Sequence, residues 1–146
     1  VPAKWDEIDL RRKVWLCPPE RRKDGKSYPH RVPLCRQLVA MLKMLPRNSP
    51  YVFAGHGGSH ISKETPRVVI QKKIGHGTMH GFRSTFREWC AENGKDPIVA
   101  EKSLMHATGN AVVQAYQRSD LLDARIELMQ EWADAVYPLD SIEKES

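Results

Sequence analysis

The chain has 146 residues, 40% of them hydrophobic and four of them Trp, with a formal net charge of +5. That length suits one domain with its own core, no apolar run approaches the ~20 residues of a membrane-spanning helix, and no signal-peptide pattern opens the sequence. Cys17, Cys35 and Cys90 are odd in number and far apart, which predicts reduced thiols in a cytoplasmic protein rather than a disulfide frame or a zinc site.

The charge is unevenly spread. Residues 11–36 hold nine Lys/Arg against two acids, and residues 119–146 hold eight acids against two Lys/Arg. A basic front and an acidic tail fit a polyanion met by one side of the molecule, or two solvated faces of opposite sign.

The opening stretch reads as a β-meander. Ile8-Asp9-Leu10 and Val14-Trp15-Leu16-Cys17 are short extended runs, Asp24-Gly25 marks a turn, and Arg31-Val32-Pro33-Leu34 is the returning strand. Its prolines confine parts of it to edges and turns. Leu34 to Leu45 predicts an amphipathic helix with Leu34, Leu38, Met41, Leu42 and Leu45 toward the core, ended by Pro46 to Pro50. Tyr51-Val52-Phe53 is expected to be buried. The stretch Gly55-His56-Gly57-Gly58-Ser59-His60 has two histidines but no nearby carboxylate or Cys for zinc. It also lacks the Gly-Lys-Ser/Thr ending of a phosphate loop, so it reads as a surface loop.

Thr65-Pro66 resembles a cap followed by a first-turn proline, opening a helix that runs to Lys73. Lys72 and Lys73 at its end suit the helix dipole or an anionic partner. Gly81 to Glu92 is predicted helical, with Phe82, Phe86 and Trp89 as an apolar stripe. Asp96-Pro97 starts another helix, expected to reach about Met105 and leave His106 at its end. Thr108-Gly109-Asn110 turns the chain, Ala111 to Arg118 forms a short helix, and Leu121 to Val136 forms the last. Leu122, Met129, Trp132, Ala133 and Val136 should be its buried side.

The stretch from Met79 to Tyr116 concentrates the chemistry. His80 and Arg83 are three apart, so they can share one face near a helix start, where the helix N-terminus favours an anion. Arg83 offers a planar fork suited to two phosphate oxygens. His106 follows Leu104-Met105, and Tyr116 lies ten residues further on. A phenol beside cations or a base can become a nucleophile and form a covalent phosphoenzyme. Taken singly, His80 and Arg83 also read as a surface pair, and Tyr116 as a core residue with its hydroxyl at the surface.

This constellation, His80-Gly81-Phe82-Arg83, then Leu104-Met105-His106, then Tyr116, resembles the catalytic domain of tyrosine site-specific recombinases, the phage integrase family. The text from Thr78 to Trp89 and from Leu104 to Pro138 is similar to integrases of prophages and genomic islands. The resemblance runs from Trp5 to about Pro138. It implies an α+β, mainly α, fold: a helical catalytic domain carrying a small N-terminal antiparallel β-meander, with residues 1–146 forming one domain.

It also implies transesterification without cofactor or metal. Tyr116 would attack a scissile phosphate, Arg83 would stabilise the charge that develops, His80 would act as base or relay, and His106 would donate to the phosphate. Lys23, after Glu20-Arg21-Arg22 in the hairpin, would be the general acid, with Lys26 as the competing candidate. Arg21, Arg22, Lys26, Arg31, Lys72 and Lys73 would contact DNA. The implied partners are duplex attachment sites, three further copies of the chain in a tetramer on DNA, and accessory DNA-bending proteins. The acidic residues Asp140, Glu143 and Glu145 should stay off DNA. The helix after the nucleophile would dock on its own domain or on a neighbouring copy.

Two departures stand out. Another catalytic arginine of the family would precede the position of Trp5 and fall ahead of Val1, and Arg11 and Arg12 come too late in order to replace it. On that reading the chain is a catalytic-domain fragment without the N-terminal DNA-binding domains, expected to fold but to show weak or no strand exchange alone. Met105 stands where the family commonly has a small residue, which could displace His106. A DNA-binding module without complete catalysis and a type IB topoisomerase-like strand transferase are the competing readings.

Overall fold

A computed structural model of the chain describes residues 2–22, 26–106 and 119–138. Within them lie a three-stranded antiparallel sheet and five α-helices, an α+β arrangement that is mainly α. The strands are β1 (Ile8–Asp9), β2 (Val14–Cys17) and β3 (His30–Pro33), in the order β1-β2-β3. The register sets Ile8 opposite Trp15, Trp15 opposite Val32, and Cys17 opposite His30. The helices are α1 (Arg36–Met44), α2 (Thr65–Lys73), α3 (Met79–Glu92), α4 (Pro97–Ser103) and α5 (Leu122–Val136). No helix among the described residues is long and apolar enough to cross a membrane.

The apolar side chains collect in two clusters. One gathers Leu34, Val39, Leu42 and Val52, with Trp5, Ile8 and Trp15 packed against them. Backbone bonds from Trp5 to Pro50 and from Val52 to Ala3 tie the chain start to the segment after α1. The other cluster gathers Phe86, Cys90, Val99, Ala100 and Leu128 from α3, α4 and α5. Trp132 meets Phe86 edge-on at 5.6 Å between centroids and Trp89 at 5.2 Å, contacts that add to plain area burial. The three cysteines are free, and burial pushes the Cys17 and Cys90 thiols up.

Several predicted faces are rotated. On α1, Leu38 and Met41 are exposed, whereas Val39, Leu42 and Gln37 are buried. The reason is Gln37, whose amide nitrogen donates to Asp134 Oδ1 at 2.7 Å and to the Tyr137 carbonyl at 3.1 Å. Its oxygen accepts from Gln130 at 3.0 Å. A fully bonded amide can be buried at little cost, so α1 turns that side toward α5. On α3, Phe82 is 53% exposed because core contacts begin at Phe86. Phe53 and Val136 are likewise exposed, and the innermost residues of α5 are Arg125, Leu128 and Ala133.

Local signals set the helix ends. Thr78 Oγ1 accepts from the Gly81 amide at 3.0 Å, so α3 begins two residues ahead of the expected Gly81. Gly94, at φ 61°, makes the left-handed step that ends α3. Asp96 then caps α4 through the Ile98 and Val99 amides. The predicted Asp24-Gly25 turn, the Thr108-Gly109-Asn110 turn, the 111–118 helix and the acidic residues Asp140, Glu143 and Glu145 lie outside the described residues.

Glu7 fastens the meander. Its carboxylate accepts from Trp15 Nε1 at 3.0 Å, from the Lys4 amide at 3.2 Å, and from both terminal nitrogens of Arg21. Burial pushes its pKa up, but the bonds from Trp15, Lys4 and Arg21 outweigh burial and hold it below the usual range. A carboxyl depressed by folding stabilises fully above its unfolded pKa, about 4.3, and that stability is lost as pH falls through the lower folded value. Glu7→Gln is therefore expected to cost about 1–3 kcal/mol at pH 7. It should lose distinctly less than the parent between pH 5 and pH 3 in denaturant titrations.

Candidate active site

Arg83 and His106 come from different elements and meet because of how α4 ends. Met105 adopts φ 57°. Its amide bonds back to the Lys102 carbonyl at 3.1 Å, and the His106 amide bonds to the Glu101 carbonyl at 3.0 Å. This paired closure is the Schellman arrangement, usually built on glycine. It wraps the chain so that residue 106 faces the last turn of its own helix. The departure at Met105 therefore does not throw His106 outward: the backbone, not the side chain of residue 105, aims it.

One terminal nitrogen of Arg83, Nη2, donates to the Leu104 carbonyl and meets His106 Nε2 at 2.7 Å. The Leu104 carbonyl lies at the end of α4, where carbonyls lack helical partners and attract cations. On the other side of the imidazole, Nδ1 meets Glu101 Oε2 at 2.7 Å. The second Glu101 oxygen pairs with Arg87 Nη2 at 2.8 Å. A guanidinium only donates, so Nε2 must accept and Nδ1 must carry the proton given to Glu101. Four side chains thus form one line: Arg83, His106, Glu101, Arg87. Nε and Nη1 of Arg83 make no hydrogen bond among the described residues, which leaves most of the fork for an anion.

His80 is the second residue of α3, one turn before Arg83, and is exposed. Its ring makes no hydrogen bond among the described residues. The helix start thus presents an exposed imidazole, with the Gly81 amide already taken by Thr78, and no hydrogen bond joins His80 to Arg83 among the described residues.

Lys23 and Tyr116 lie outside the described residues, but their flanks are placed. Arg22 donates to the Tyr28 carbonyl at 3.1 Å and sits 4.8 Å over the Tyr28 ring, and the exposed Lys26 is 5.8 Å from that ring. Burial, and then the charge of Lys26, push the Lys102 ammonium down. Lys26 is therefore near enough to Lys102 of α4 for its charge to be felt there. Downstream of Tyr116, Lys102 Nζ donates to the Ser119 carbonyl. Arg31 grips Asp120 with two bonds of 2.7 and 2.6 Å. Burial pushes Asp120 up, but the bond from Arg31, its charge and that of Arg125 hold the carboxyl below its usual range. The described chain thus stops at His106 and resumes at Ser119 and Asp120, which are bonded to Lys102 and Arg31.

Of the residues expected at DNA, Arg21 is committed to Glu7 and Arg31 to Asp120, whereas Lys26, Lys72 and Lys73 are exposed. The sequence reading did not single out Glu101, Arg87, Lys102, Asp120, His30 or Arg125. Arg125 is 1% exposed, bonded at 3.1 Å to His30 Nε2 and at 3.4 Å to the Asp120 carbonyl, with its Nε unpartnered. Burial pushes its pKa down, yet an arginine stays charged.

The helical domain with its small meander is that of a tyrosine recombinase catalytic domain, and the chain belongs to the phage integrase family, whose model matches residues 1–122. Among curated proteins it is similar to prophage integrase IntA of Escherichia coli (strain K12), 35% identical over 95% of this chain and 35% of that protein. It is 31% identical to the integrase of Shigella phage Sf6, over 90% of this chain and 36% of that one. Prophage integrase IntS of the same Escherichia coli strain is 32% identical, over 89% of this chain and 35% of its own length. The chain thus spans about a third of the length of these relatives. No solved structure matches it.

Proposed function

We propose that this chain carries the strand-cleaving centre of a site-specific DNA recombinase that integrates or excises a mobile element. The observation that supports it most is the meeting of Arg83 and His106 at the end of α4, within a chain of integrase ancestry. Tyr116 Oη attacks the scissile phosphorus, the bond to the 5′ oxygen breaks, and a 3′-phosphotyrosyl link forms. The phenolic proton passes to His80, and Lys23, or Lys26 beside it, protonates the departing 5′ oxygen. Arg83 meets the non-bridging oxygens, where preorganised donors count most, and His106, whose Nε2 accepts from Arg83, steadies that fork rather than donating to the phosphate itself. A 5′ hydroxyl of the partner strand reverses the step, so the phosphotyrosine conserves the bond energy and no nucleotide is consumed.

Lys26, Lys72 and Lys73 contact backbone phosphates and give binding a steep salt dependence, while Arg21 and Arg31 hold the fold. Four copies act on paired attachment sites, helped by proteins that bend DNA. Residues 1–146 alone cleave slowly and exchange strands weakly or not at all.

A library of nicked duplexes tests this, because loss of the short fragment beyond the nick makes cleavage irreversible and lets slow chemistry accumulate. Protein-linked DNA is expected to build up over hours without metal or nucleotide, with the protein on the 3′ end. Binding with no adduct at any time would make the chain a DNA-docking module, the competing reading. Cut strands with no protein attached would make it a nuclease.

A further inference from the structure

We infer that Glu101, held by Arg87, is a positioning residue for His106: it fixes the ring's tautomer and aims Nε2 at Arg83, which steadies the fork that meets the incoming phosphate. The functional half of this rests on the recombinase reading, and the structural half does not. Residues five apart do not share a helical face, but the left-handed step at Met105 folds His106 back over the last turn of α4, within 2.7 Å of Glu101 Oε2. The other oxygen of that carboxylate is held by Arg87 at 2.8 Å, and the side chain is only 24% exposed. Engaged on both oxygens, the carboxylate cannot turn without giving up a partner.

The consequence is electrostatic as well as geometric. Among the described residues, His106 faces Arg83 across the gap to α3 and Glu101 on α4, with Arg87 behind Glu101. Two cations lie near the ring and one carboxylate offsets them. Without the acceptor at Nδ1, the alternative tautomer would point an N–H at the guanidinium, and the ring would swing away. With it, Nε2 stays toward Arg83. Anchored there by one nitrogen, Arg83 keeps its Nε and Nη1 for the phosphate oxygens. A carboxylate behind a functional imidazole fixes tautomer and orientation in metal sites and catalytic triads alike.

The decisive comparison uses the competition between Arg87 and His106 for one residue. In Glu101→Gln a single amide oxygen must serve two donors. Adding Arg87→Met removes one donor and frees that oxygen for Nδ1. Ring-nitrogen NMR of the 146-residue chain is expected to show the Nδ1–H tautomer at His106 in the parent, a mixture in Glu101→Leu and Glu101→Gln, and the parent tautomer again in the double variant. Adduct formation on the nicked duplex should fall on the order of 10–100-fold in Glu101→Leu with unchanged DNA affinity, and should recover from Glu101→Gln to the double variant.

If Glu101 were merely half of an ion pair joining α3 to α4, Arg87→Met alone would reproduce Glu101→Gln and the double variant would recover nothing, which would overturn the inference. An Nε2–H tautomer in the parent would overturn it as well. A parent that forms no adduct but shows the expected tautomers would sink the recombinase reading and leave the positioning intact.

Discussion

Tyr116→Phe is expected to abolish the covalent protein–DNA adduct while leaving duplex affinity within about twofold of the parent, since binding rests on phosphate contacts made elsewhere. The substitution removes one oxygen and keeps the ring, so packing around residue 116 is preserved. In the proposed reaction that oxygen is the atom that bonds phosphorus, and no neighbouring group can stand in for it without a change of residue number in the adduct. Peptide mapping of the parent adduct and filter binding of the variant, at two salt concentrations, provide the check. An adduct that persists in Tyr116→Phe would show a different nucleophile, and the roles given to His80, Arg83 and His106 would have to be redrawn around it.

Arg83→Ala is expected to slow adduct formation by about 10²- to 10³-fold, with the fold intact. One nitrogen of this side chain is occupied by the Leu104 carbonyl and His106, which holds the rest of the planar fork in place. Lysine has a single charged nitrogen, so Arg83→Lys must choose between anchoring and phosphate contact and should rescue poorly. His106→Ala in the Arg83→Ala background should cost much less than in the parent, because the two act as a unit and such losses are not additive. Full additivity in that cycle would mean that the bond between them has no bearing on the chemistry.

The periodic elements were legible in the sequence because their signals are local. The Asp96-Pro97 cap opened α4 where expected, and the short extended run Val14–Cys17 marked β2. Which side of α1 faces inward was not legible. Leu38 and Met41 fit the apolar pattern as well as Val39 does, and the deciding residue is the amide of Gln37, whose partners lie some ninety or more residues away on α5 and just beyond it. Arg125 is harder still. No pattern rule buries a charge, and its position follows only from His30 and Asp120 being brought to it. At the site, the motif spacing singled out Arg83 and His106. Glu101 escaped notice because a five-residue spacing becomes a contact only through the left-handed residue at 105.

The contact between α5 and the meander side of the molecule has a consequence of its own. Gln37 with Gln130 and Asp134, Arg36 with Asp134, Arg31 with Asp120, and His30 with Arg125 join the two apolar clusters along a line of polar bonds. Beside that line runs a cleft of about 520 Å³ lined by Arg12, Pro33, Cys35, Ile126 and Gln130. Prying the two halves apart would swap protein partners for water and wet little oil, and the sequestered guanidinium of Arg125 would regain hydration. A seam of this kind yields at less cost than either apolar cluster would. On the proposed function, a duplex levering on the basic meander would be felt, through Arg31, at Asp120 and the start of α5.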